Sequence, residues 1–82
     1  MTTGLVNAET EYYKSLRNAI KYKINVNKAL NDNQMYYERL FDFYKRTDNI
    51  EDKNELAFEL DYLIRQAVTL KNTQLNQAEE TA

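Results

Sequence analysis

No proline occurs in this 82-residue chain, and its single glycine stands at position 4. A β-rich fold needs chain-reversing residues every eight to twelve positions, and here the strongest of them are missing after Gly4. Helix is therefore the economical solution. The expected fold is all-α: a small three-helix bundle with a long helix over 8–30, a short one over 33–45 and a long one over 50–72. Residues 1–7 read as an N-terminal arm and 73–82 as a polar, flexible tail. So short a chain makes one domain, whose core is small enough to be completed by self-association.

Placing successive residues about 100° apart puts Tyr12, Leu16, Ala19, Val26 and Leu30 on one stripe, widened by Tyr13, Ile20 and Ile24. Lys23 falls near the centre of that stripe and has to snorkel. Asn31-Asp32-Asn33 is the expected interruption, because these side chains compete for backbone hydrogen bonds. In the second helix Tyr37, Leu40, Phe41 and Tyr44 share a side, with Met35, Tyr36 and Phe43 spilling around it. Asp48-x-x-Glu51 reads as a capping box opening the third helix. There Leu56, Leu60, Leu63, Ala67 and Leu70 recur at steps of 4, 3, 4 and 3, flanked by Ala57, Ile64 and Val68. This seam is expected to serve the core or a dimer contact.

Cysteine and histidine are both absent, which excludes disulfides, thiol and imidazole catalysis and the usual zinc sites. No phosphate-loop, dinucleotide or nucleophile-elbow motif occurs. Residues 48–54 hold several oxygen ligands but lack the glycine a calcium loop needs, and Lys53 interrupts them. No catalytic residue, cofactor or metal is therefore expected. The net charge of −2 favours neither a polyanion binder nor a nucleic-acid mimic.

The charge is unevenly placed. Residues 1–30 carry five basic and two acidic side chains, a net +3; residues 31–82 carry six and eleven, a net −5. Lys14, Arg17, Lys21 and Lys28 project close together on the first helix, beside Tyr12 and Tyr13. This basic, tyrosine-flanked face is the candidate surface for a partner or ligand. Asp52, Glu55 and Glu59 form an acidic counterpart on the third helix. Seven tyrosines exceed what so small a core needs, since each buried hydroxyl requires a partner, and tyrosine is enriched at interfaces.

The expected function is therefore protein–protein binding by a small non-catalytic regulator, inhibitor or assembly factor that forms a homo-oligomer, a dimer above all. The alternative is nucleotide or nucleic-acid binding through the basic face. No apolar run is long enough to span a membrane, and the start lacks the basic and apolar regions of a secretory signal, so a cytoplasmic location is expected. Abundant Asn, Lys and Tyr without Trp suit an AT-rich coding source, such as a phage or a low-GC bacterium.

Overall fold

The lysine set into the first apolar stripe lies where the first helix has already ended. The computed structural model describes residues 2–81, and the side chains of 5–76. It contains α1 (Thr2–Lys21), α2 (Val26–Arg46) and α3 (Ile50–Thr81), with no strand among the described residues. α1 and α3 both pack along α2, the middle element, and meet each other far less. The molecule measures 49 × 21 × 16 Å, its long axis close to the rise of about 48 Å expected for the 32 residues of α3.

The break after α1 falls at residues 22–25 instead of 31–33. Lys23 (φ 56°) and Asn25 (φ 54°) are both left-handed, and the Asn18 carbonyl accepts the N–H groups of Tyr22 at 3.1 Å and Ile24 at 3.4 Å. Splitting the stripe there yields two helices of nearly equal length, 20 and 21 residues, that can cover each other as a hairpin. Val26 and Ala29 then open α2 as buried residues, while Ile20 and Ile24 remain half exposed. Asparagine tolerates the left-handed region better than other side chains with a Cβ. Asn25→Ala is accordingly expected to lower stability by about 0.5–1 kcal/mol in a denaturant melt, with Asn25→Gly close to neutral.

Asn31-Asp32-Asn33 does not interrupt the helix. Asp32 sits under the Lys28 ammonium at 2.7 Å, and Asn33 is buried. Its place follows from the spacing of Val26, Ala29, Asn33, Tyr36 and Leu40, which recur at steps of 3, 4, 3 and 4 and are the buried residues of α2. The Asn33 side-chain amide donates to the Tyr12 hydroxyl at 3.2 Å and to the Leu63 carbonyl at 2.9 Å, joining all three helices at one point. Phe41 is 40 % exposed and stacks between Tyr37 and Tyr44 along the outside of α2.

Two further boundaries move. Residues 2–7 belong to α1, where Leu5 and Ala8 continue its apolar stripe against the core. Residues 73–81 belong to α3, and the Gln74 amide reaches the Asn27 side-chain oxygen at the start of α2. The cap of α3 is Asn49, not Asp48: its side-chain oxygen accepts the N–H groups of Glu51 at 2.9 Å and Asp52 at 3.1 Å. Asn49 directly precedes the first helical residue, and a side chain there reaches the orphan donors of the first turn. In α3, Leu60, Leu63 and Leu70 are buried and Leu56 and Ala67 half-buried, so the seam faces α2.

Candidate functional site

α1 and α3 flank α2 without closing over it, and a groove runs between them. Its floor is Tyr36 and Leu40 of α2. Its walls are Leu5, Glu9 and Tyr13 from α1, and Asp52, Glu55, Leu56, Phe58, Glu59 and Tyr62 from α3. Two shallow depressions of about 650 and 530 Å³ share Glu55 and Glu59 and so form one continuous surface. Phe58 is 82 % exposed, the most exposed large apolar side chain among the described residues.

Tyrosine hydroxyls converge on one carboxylate in this groove. Tyr13 donates to Glu59 at 2.7 Å and Tyr36 to the same oxygen at 3.4 Å. The Tyr12, Tyr13 and Tyr36 rings form a cluster, with centroids 5.0 to 6.2 Å apart. Burial is the main cause that pushes the Tyr13 phenol up, aided by the hydrogen bond to Glu59 and its charge. Burial also raises Tyr36, seconded by the charges of Glu59 and Glu9. Both phenols therefore stay protonated and act as donors.

Among the described residues no ion pair involves Glu9, Asp52, Glu55 or Glu59. The helix dipole accounts for Glu51 and Asp52 in the first turn of α3, but its influence fades beyond that turn and does not reach Glu55 or Glu59. Among the described residues no group of three or more carboxylates is placed to hold a metal ion, and no helix is long and apolar enough to cross a membrane.

The basic face is divided by the fold. Tyr12 is fully buried, beyond the reach of a ligand. Tyr13 turns toward Glu59. Lys28 belongs to α2, not to the first helix, and pairs with Asp32 at 2.7 Å and Glu11 at 3.7 Å, the Asp32 contact raising its pKa. Lys14 and Lys28 still border one small cleft at the α1–α2 junction, which Glu11 also lines. Arg17 is exposed, and Lys21 lies over the Tyr22 ring, 5.4 Å from its centroid. None of these four cations pairs with Asp52, Glu55 or Glu59 among the described residues.

Phe58 and Tyr62 are the groove residues that sequence periodicity passes over. The signal was present: an aromatic pair four residues apart, well off the leucine seam, makes a second apolar line on a helix whose core face is already complete. Compared with protein-family models, curated proteins and solved structures, the chain matches none of them.

Proposed function

We propose that this chain is a non-catalytic module that works by holding a segment of another protein in the groove between α1 and α3. The observation that carries this reading is the pairing of exposed aromatic side chains, Phe58 and Tyr62, with carboxylates that form no ion pair among the described residues. An apolar strip bordered by acids suits an amphipathic segment with basic flanks. Aromatic anchors in a groove commonly dominate such contacts.

A catalytic role has less support. The shifts resolved for Tyr12, Tyr13, Tyr36 and Lys28 all run upward from values already above neutrality, so they tune no proton for exchange near pH 7. Polyanion binding has lost Tyr12 to the core and Lys28 to two carboxylates.

Affinity capture from cells of the source organism, run in parallel with the native chain and Phe58→Glu, tests the proposal. The substituted side chain is exposed, so the fold is expected to survive, with an unchanged helical circular-dichroism spectrum as the control. The expected result is a protein retained by the native chain and depleted about tenfold or more by Phe58→Glu. Identical capture by both chains, or nucleic acid as the only retained species, overturns the proposal.

A further inference from the structure

α3 carries a third apolar line that neither the core nor the groove uses. Ala57, Ile64, Val68 and Leu75 lie within about 20° of one line along the helix, about 110° around from the buried seam. Ile64, Val68 and Leu75 are 50 %, 56 % and 61 % exposed. Asp61 and Lys71 fall on the same line, completing a run at 57, 61, 64, 68, 71 and 75 with alternating steps of 4 and 3. This is the spacing of a helix-pairing seam.

The order of side chains along the line is self-complementary. Turned end for end about its midpoint, the line sets Ala57 opposite Leu75, Asp61 opposite Lys71, and Ile64 opposite Val68. Small meets large, acid meets base, and β-branched meets β-branched. A parallel pairing would instead set Asp61 against Asp61 and Lys71 against Lys71. We infer that a second copy of this chain covers this line, the two α3 helices packing antiparallel about a two-fold axis that crosses midway between Ile64 and Val68.

A two-fold contact requires one patch that fits itself, and the reversed order of this line meets that condition. Arg65 already pairs with Asp61 at 3.0 Å on the same helix, and the partner's Lys71 would approach the same exposed carboxylate. No ion pair occupies Lys71 among the described residues. The line shares no residue with the groove lining, so this inference does not rest on the function proposed above. The line spans about 28 Å of helix, and only its four apolar positions bury apolar surface, so the expected dimer is weak, populated near ~100 µM chain.

Sedimentation equilibrium of the full chain provides the first test. The average mass is expected to climb from 9.8 kDa toward twice that value as concentration rises. Asp61→Lys or Lys71→Asp alone places like charges opposite each other twice per dimer, and should weaken dimerisation about tenfold or more. Combining the two restores it. Cysteine cross-linking provides the register test, because the native chain contains no cysteine. An equal mixture of Ile64→Cys and Val68→Cys chains should form the mixed disulfide, and each chain alone should form far less. Strong cross-linking of Ile64→Cys with itself would indicate parallel pairing and overturn the inference. So would a monomer throughout the concentration range, or a dimer indifferent to the charge substitutions.

Discussion

Asn33→Asp is expected to lower the stability of this chain by about 3–5 kcal/mol at pH 7, and Asn33→Ala by about 2–3. Aspartate has nearly the same shape, so packing is not the cause. The Asn33 amide donates to two acceptors, the Tyr12 hydroxyl and the Leu63 carbonyl, at a buried point where the three helices meet. A carboxylate there has no proton to donate and turns an oxygen toward the carbonyl. The variant should also acquire a pH dependence that the native chain lacks at this site. Burial raises the introduced carboxyl above its unfolded pKa of about 3.9, so the folded state keeps its proton longer than the unfolded state. The penalty is therefore smallest below about pH 4, where the protonated carboxyl can still donate one hydrogen bond. It grows as pH rises through the window between the unfolded and folded pKa values, and levels off above the folded one. Denaturant melts at pH 4 and pH 7 measure both effects. Equal stability of variant and native chain at pH 7 would show that the amide does not hold the helices together.

Asn33 also shows where the sequence could be read and where it could not. The all-helical fold followed from the missing proline and the solitary early glycine, and the α3 seam from a regular leucine period. Both are repeated, local signals. The first break was placed wrongly because two weak signals competed. Asn31-Asp32-Asn33 resembles a stop, whereas Lys23 in the stripe reads as a side chain that snorkels. The contest was decided by tertiary fit: ending α1 before Lys23 gives helices of 20 and 21 residues, and puts a polar residue in register with Val26, Ala29, Tyr36 and Leu40. A buried asparagine within an apolar period is recognisable only once its partners on the other two helices are known, since a lone buried amide is costly and a satisfied one is not.

The candidate site was less legible for the same reason. A groove between α1 and α3 depends on which helix lies in the middle, and no residue spacing states that. The acidic line Asp52, Glu55 and Glu59 was visible, yet its contact with Tyr13 and Tyr36 joins residues 46 and 23 positions apart from Glu59. The basic line is split between two elements, because reading it as one helix face assumes a single helix from 8 to 30. Once the chain reverses at Lys23 and Asn25, Lys28 lies on another element with its own acids. By contrast, the self-complementary line on α3 needs only one helix. Its period and charges can be read along the chain, and the fold contributes only that this side is left uncovered.

Leu63→Ala is expected to cost about 2–5 kcal/mol, against a total of roughly 4–12 kcal/mol for a domain of this length. Leu63 is fully buried in the α3 seam, and its own carbonyl receives the Asn33 amide. Truncation leaves that backbone acceptor in place, so the loss measures side-chain packing plus whatever cavity the neighbours fail to close. The melting temperature should fall by roughly 8–40 °C, given about 4–8 °C per kcal/mol in domains of this size. Ile64 supplies the internal comparison. It is next in sequence, similar in volume and 50 % exposed, so Ile64→Ala should cost less than about 1 kcal/mol in dilute solution, where any dimer has dissociated. A shift of one residue moves a side chain about 100° around the helix, so the ratio of the two losses reports the rotation of α3 against α2. Comparable losses at both positions would mean that α3 presents a different face to the core. Because Leu63 and Asn33 touch, the double variant Leu63→Ala with Asn33→Ala should lose less than the sum of the two single losses. Strict additivity would mean that seam packing and the amide network hold the helices independently.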